Sequence, residues 1–321
     1  MKQLIINGDD LGICEATNLA IAEAFRHGVL TSTSLMANGP AFEHAVREVV
    51  RANPSLGVGL HLCLTSGLCV APAERVSLLV DKQGRFRRGF LSLCLLAVSR
   101  PARALSQIET EFDAQFRRVK AAGVSIDHVD SHRHVHMIPP IFRIASTLAR
   151  RHGCSAIRMS HEPLPPLRQL VWPGRAGPLM QNLPKKIVLS TLARWNRGHA
   201  FGLAVPSRAF GILDSGNMNR NALERIFGCV QHGATEIIVH PGNPNPNVAA
   251  TVDGGDRVFL ESVNRQAELS ALVDSIVAEA VNRNELSLVR HSDLRSEIPE
   301  LHGGDGATYC LAAGRRRNRL L

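Results

Sequence analysis

Aromatic residues are scarce in this chain. They make up 4% of 321 residues, with one Tyr and two Trp. The core must therefore be mostly aliphatic, and the stacking platforms that hold single-stranded nucleic acid are missing. Cysteine occurs seven times, scattered from Cys14 to Cys310, and no two form a C-x-x-C pair. That spacing argues against a disulfide framework or a zinc ribbon and fits a reducing cytosol. No apolar run reaches the roughly 20 residues that cross a bilayer. The longest, 90–98, is about half that length. Strand-like sequence starts almost at Met1, so no signal peptide is expected. There are no internal repeats.

Positive charge, by contrast, is in excess: 37 Lys and Arg against 28 Asp and Glu, a formal +9. Arg315, Arg316, Arg317 and Arg319 crowd into the last seven residues. The remainder is too diffuse for a nucleic-acid platform, so no nucleic-acid partner is expected. An anionic membrane surface remains compatible with it. An apolar fraction of 45% with 20% charged residues is ordinary for a globular protein.

Strand-like and helix-like stretches alternate. Leu4-Ile5-Ile6, Val58–Leu62, Ile126–Val129, Ala156–Met159, Glu236–Val239 and Leu286–Val289 read as strands. Helical stripes run from Glu15 to His27, through Leu105, Ile108, Phe112, Phe116 and Val119 after Pro101, and through Phe142, Ala145 and Leu148. Leu223, Ile226 and Val230 give another, and Leu269, Leu272, Ile276 and Ala280 one late helix. This order predicts an α/β protein built on a parallel sheet or a (β/α) barrel, as one domain over 1–300. Residues 66–100 and 161–210 break the rhythm. The first is loop-like and basic, and the second is rich in Pro and basic residues, including Lys185 and Lys186. Both read as insertions near a functional rim. Residues 301–321 read as a flexible basic tail.

The most informative residues are Asp9 and Asp10, in NGDDLG at the end of the first strand. Adjacent carboxylates at a strand end repel unless a cation or a shared proton lies between them. The ordinary alternative is that Asp10 caps the following helix. A second cluster, His128-Val-Asp130-Ser-His132-Arg-His134-Val-His136, puts five polar groups on one face if extended. Alternate strand residues are about 6.6 Å apart, too far for all to reach one metal at about 2.1 Å. One His, or two where the chain bends, can ligate. His61 in GLHL and His240 in VHPG sit at two further strand ends. Each alone could be a hydrogen-bonded core histidine. Together, one carboxylate and two His with an open position make a hydrolytic metal site, with zinc favoured by the ligand types.

NGDDLG, the TSTSLMANG run from Thr31 to Gly39, GLHL, DSHRHVHM and VHPG resemble the YdjC-like carbohydrate deacetylases, the group that includes chitooligosaccharide deacetylase. The resemblance covers roughly residues 1–160 and resumes at VHPG. It implies a distorted barrel of about seven strands that removes N-acetyl groups from amino sugars with one divalent metal. Family members are often assigned magnesium, whereas these ligands suit zinc. By motif, Asp9 would be the general base, kept ionised by Arg158, and His240 the general acid. Asp10, His61 and His132 would hold the metal, with His136 as a reserve ligand. Length, the extended middle and the Arg-rich end are most similar to the branch associated with hopanoid lipid biosynthesis. That implies an N-acetylglucosaminyl hopanoid substrate, met by a cytoplasmic enzyme at the inner membrane face. Residues 85–98, Lys185-Lys186 and Arg315–Arg319 would supply the membrane contact. Soluble chitooligosaccharide, a phosphoester substrate on the same barrel, and a non-catalytic membrane-binding role are the alternatives.

Overall fold

Short runs buried on both faces need cover on both sides, which a parallel sheet wrapped by helices provides. Leu4, Ile5 and Ile6 are fully buried in this way. The computed structural model describes residues 1–164, 176–244 and 254–294. Its strands are β1 (Lys2–Leu11), β2 (Ser32–Leu35), β3 (Gly57–Leu62), β4 (His128–Ser131), β5 (Ala156–Ile157), β6 (Arg208–Phe210) and β7 (Gly233–Val239). They lie in the order β5-β4-β3-β2-β1-β7-β6. Every pairing is parallel, and β8 (Leu286–Leu288) adds to the start of β1. The expected distorted barrel of about seven strands forms. Its two edges approach without a full ladder: Ile157 N donates to Ala204 O at 3.0 Å, and Ala209 N to His161 O at 2.9 Å.

The helices pack outside this sheet: α1 (Glu15–His27), α2 (Phe42–His44, running into a π segment Ala45–Val50), α3 (Phe90–Ser99), α4 (Pro101–Ala121), α5 (Pro139–Arg151), α6 (Ala176–Asn196), α7 (Arg220–Phe227), α8 (Gly254–Leu260), α9 (Asn264–Leu272) and α10 (Ser275–Arg283). On α4 the stripe Ala104, Ile108, Phe112, Phe116 and Val119 is buried.

Several expectations change. Asp10 does not cap α1; Cys14 does, its sulfur accepting from Thr17 N. The single late helix is two, because Asp274 leaves the helix and caps α10. Residues 66–100 are more than a loop. Antiparallel bridges join Leu68 to Arg85 and Val80 to Phe86, and the apolar run forms α3. Within 161–210, α6 runs for 21 residues and accommodates Pro184. Strands β2 and β6 were not predicted: Ser32-Thr33-Ser34 hides a fully buried strand behind hydroxyl groups, and β6 has only three residues. The tail expected beyond 300 lies outside the described residues.

Candidate active site

Parallel strands send their carboxyl ends to one side of a barrel. Here β1 ends in Asp9 and Asp10, β3 in His61, β4 in Asp130 and Ser131, and β7 runs into His240. Asp9, Asp10, His61, His132 and His240 line one cavity of about 250 Å³; Asp130 and Arg158 lie fully buried. The register pairs His61 with Asp130 across neighbouring strands, so their side chains share a face.

The His-rich cluster does not stay extended. After Ser131 the chain enters a 3-10 turn, His132–Met137, with Arg133 and His134 in left-handed conformation at φ 54° and 55°. The turn separates the five groups. His132 faces the cavity, and His134 Nδ1 meets Ser160 Oγ at 3.0 Å. His136 is not a spare ligand: Ser131 Oγ holds Nδ1 at 2.5 Å, and Nε2–H donates to Arg158 O at 3.0 Å. Burial pushes that ring down to about 4, so it stays neutral in its niche.

Three donors converge. His132 Nδ1 lies 2.9 Å and His61 Nε2 3.4 Å from Asp10 Oδ1. The donor atoms of Asp10, His61 and His132 all lie within 4.8 Å of one another. Each imidazole is braced from behind: His61 Nδ1 by Asp130 Oδ1 at 2.8 Å, His132 Nε2 by Asp256 Oδ1 at 3.1 Å. A carboxylate behind each imidazole is the usual way to orient a metal-binding histidine. Burial lowers both rings, but Asp130 and Asp10 around His61, and Asp10 and Asp256 around His132, push each up to about 10. A pocket that draws protons onto two histidines this strongly draws positive charge, and a divalent cation fits the same donors.

Asp9 is held differently. Arg158 grips it with two bonds of 2.7 Å, Nη1 to Oδ2 and Nη2 to Oδ1, and Asn7 Nδ2 donates to Oδ1 at 2.9 Å. The same guanidinium meets Asp130 Oδ2 at 2.6 Å and Glu236 Oε1 at 2.8 Å. Burial raises Glu236, but Arg158 outweighs it and holds the carboxyl at about 2.

His240 closes the far side. Its backbone N donates to Glu268 Oε2 at 2.6 Å, and its ring stands edge-on to Phe259, centroids 5.1 Å apart. Burial pushes the ring down to about 4. Arg265 lies beneath, donating to Thr17 Oγ1 at 2.9 Å and to Pro241 O at 3.2 Å. Gly242 must be glycine, since a Cβ there would sit 2.5 Å from Arg265 Nε.

Sequence reasoning missed Asp256, Arg265, Glu268, Glu236 and Lys185. No motif marks them; Glu236 reads as one more residue of the strand that leads to His240, and the others come from helices far from the motifs in sequence. Lys186 is buried and adds nothing to the membrane-facing charge expected of this pair, whereas Lys185 is exposed and lines the cavity wall.

Asp127, His128 and His291 form a further group of possible ligands, away from the cavity. The two rings stack at 3.6 Å with 18° between planes. An ion midway would lie about 1.8 Å (half of 3.6 Å) out of each ring plane, with bonds of only about 2.1 Å. Lone pairs lie in the ring plane, so this pair does not converge on a metal. A larger cavity of about 630 Å³, bordered by Gln3, Gly233 and Ala234 at the strands' amino ends, has only Arg197 and Asp293 as charged lining groups. The chemistry belongs to the smaller one.

Fold and site together define a barrel whose strand ends gather a donor set that could hold a cation, flanked by a carboxylate and an imidazole. The chain belongs to the YdjC-like protein family, whose model matches residues 3–283. It is 28% identical to a carbohydrate deacetylase of Clostridium beijerinckii over 292 residues, 91% of this chain and all of that protein. It is 45% identical to a carbohydrate deacetylase of Brevibacillus brevis over 150 residues, and 41% identical to a chitooligosaccharide deacetylase of Enterobacter sp. over 154. Those two matches cover 47% of this chain and 56% and 57% of the relatives, so the chain spans little more than half the length of each. A putative cellobiose-phosphate cleavage protein of Enterococcus faecalis V583 shares the fold, with a TM-score of 0.71 at 24% identity over 92% of this chain and 99% of that one.

Replacing Arg158 by Met leaves three buried carboxylates without their counter-charge and should cost about 3–5 kcal/mol. The pH dependence has a fixed sign. Glu236, at about 2 in the folded protein, contributes stability above its unfolded value near 4.5 and loses it as pH falls toward 2. Arg158→Met forfeits that contribution. Urea midpoints of wild type and variant should differ most above about pH 5 and converge as pH falls. A gap independent of pH would contradict the ionic account.

Proposed function

We propose that this chain is a metal-dependent carbohydrate N-deacetylase that hydrolyses the acetamide of an amino sugar. The observation that carries the reading is the convergence of Asp10, His61 and His132 on one cavity with Asp9 and His240 beside them. The names of its full-length and partial relatives support the substrate class.

Asp10, His61 and His132 would hold the cation. A divalent ion there lowers the pKa of water and polarises the acetyl carbonyl. Asp9 accepts the attacking water's proton, its carboxylate fixed in place by Arg158 and Asn7. His240 delivers a proton to the departing amine. It is neutral at rest, so it would take that proton from solvent as negative charge grows on the attacked carbonyl beside it, and Asp9 would later release the water's proton to solvent, which closes the balance. Glu268 fixes its backbone and Phe259 its ring. A phosphoesterase using two or three metals is less well supported, because of the two other ligand-like groups one, Asp127, His128 and His291, does not converge, and in the other, Asp9, His61 and Asp130, both carboxylates are already taken by Arg158.

The finer reading is that the acetamide belongs to the N-acetylglucosaminyl headgroup of a hopanoid glycolipid. No helix among the described residues is long and apolar enough to cross a membrane. Two helices nevertheless expose apolar rows. Leu91, Leu95 and Val98 on α3 are 76%, 71% and 80% exposed at helical spacing, and Met180, Ile187 and Trp195 on α6 form a second row. Both helices pack against the turn that carries His132. Exposed Arg85, Arg87, Arg100 and Arg103 flank α3. Each is worth roughly 1 kcal/mol near an anionic surface. Arg315–Arg319 lie outside the described residues.

Asp9→Asn keeps the shape of the side chain and removes its basicity. It should retain the metal by elemental analysis and lose acetate release by about a hundredfold or more. Unaltered turnover with metal bound would make Asp9 a structural turn residue. For the substrate, the chain should float with anionic liposomes at low salt and release them at high salt. Mass spectrometry should show faster loss of acetyl from N-acetylglucosaminyl lipid than from chitobiose. No flotation, together with faster turnover of the soluble sugar, would end the glycolipid reading and leave the deacetylase chemistry standing.

A further inference from the structure

His61 is bound at both ends, and its far end leads away from the cleft. Its Nδ1 meets Asp130 Oδ1 at 2.8 Å. The other oxygen, Asp130 Oδ2, accepts from Ser34 Oγ at 2.8 Å. Ser34 Oγ meets His128 Nε2 at 3.2 Å, and His128 Nδ1 meets Asp127 Oδ1 at 2.5 Å. The result is an unbroken row from β3 through β4 and β2 and back to the start of β4. Ser34, Asp130 and His128 are fully buried.

Each proton in this row has one consistent place. A hydroxyl carries one proton and two lone pairs. Asn7 Nδ2 donates to Ser34 Oγ at 2.8 Å, and its other bond, to the Asp9 carboxylate, fixes which way the amide points. Ser34's own proton goes to Asp130, a carboxylate that only accepts. His128 Nε2–H fills the remaining lone pair, and Nδ1–H donates to Asp127. Asp130 therefore requires Nδ1–H from His61, which leaves Nε2 as the nitrogen turned to Asp10, where a cation would take the place of a proton.

Asp130 is also contested. Arg158 Nη1 touches the same Oδ2 at 2.6 Å, and a guanidinium favours taking both oxygens of a carboxylate. The Ser34 bond opposes that rotation and keeps Oδ1 turned to His61. The strands are built to admit the row. A Cβ on Gly59 would lie 2.3 Å from His128 Nε2, so β3 carries glycine where the imidazole crosses it. From the other side His291, which follows β8, stacks on His128 at 3.6 Å.

We propose that Ser34 and His128 are positioning residues: through Asp130 they hold His61 in the tautomer and orientation that present Nε2 to the divalent cation. This rests on the metal reading above. Neither residue touches the cleft, so loss of either should loosen the metal without removing a ligand.

The test is zinc affinity of the full chain, by competition with a chromophoric chelator, with thermal melting of each variant alongside. Ser34→Ala removes the hydroxyl and adds no bulk. His128→Phe keeps a ring against His291 and removes both N–H groups. Outer partners of ligands typically control affinity by 10–100-fold, so both variants should bind zinc at least about tenfold more weakly while remaining folded. Ser34→Thr, which keeps the hydroxyl, should restore most of the lost affinity. His61→Ala marks the fully broken site. If both variants bind zinc as wild type does while His61→Ala does not, the positioning role is wrong and the metal site stands. The positioning role is equally wrong if affinity falls only in proportion to melted protein. If the wild type binds no more tightly than His61→Ala, the metal reading itself fails and this inference with it.

Discussion

Arg158 is fully buried, with its guanidinium shared by Asp9, Asp130 and Glu236, and the catalytic face of the barrel is arranged around that contact. A charge taken out of water is costly unless it is paired and fully hydrogen-bonded. Here one cation serves three carboxylates from three strands, and Asp10 adds a fourth carboxylate nearby. Negative charge is left in excess. That excess pulls protons onto His61 and His132, and it is what makes their donors attractive to a divalent ion. Breaking the knot would release Asp9 from its orientation and Asp130 from its place behind His61 at the same time.

The backbone cooperates at specific points. Asp10 has φ 68°, a left-handed conformation uncommon for a residue other than glycine, and it turns consecutive carboxylates to different tasks: Asp9 toward Arg158, Asp10 toward the histidines. The consecutive left-handed residues Arg133 and His134 do the same for the His-rich turn, sending His132 into the cavity and tucking His136 under Arg158's carbonyl. Left-handed positions of this kind cost energy and persist where the surroundings over-determine them, often at functional sites.

The sequence alone showed much of this because parallel strand ends coincide with chemistry. GDD, GLHL, DSH and VHPG each follow an apolar run, so placing the strands also placed Asp9, Asp10, His61, His132 and His240 on one side. Other features left no local mark. β2 is a buried strand written in Ser and Thr, and its Ser34 bonds to Asp130 can be seen only once β2, β3 and β4 are adjacent. Asp256, Arg265 and Glu268 come from helices late in the chain, where an acidic or basic residue looks like any solvated helix face. The bend after Ser131 could be anticipated from metal-ligand distances, but which histidines it would exclude depended on Ser131, Ser160 and the Arg158 carbonyl.

The central claim is that the strand ends build one cation site, at Asp10, His61 and His132, rather than a multinuclear cluster or a purely protonic site. Anomalous diffraction at the zinc edge, on crystals grown with zinc, tests it most directly. The account predicts a single strong peak bonded to Asp10, His61 Nε2 and His132 Nδ1, with Asp9 beside it and still clamped by Arg158. No peak there, a second ion bridged through Asp9 or Asp130, or ligation by His136 in place of His132 would contradict it.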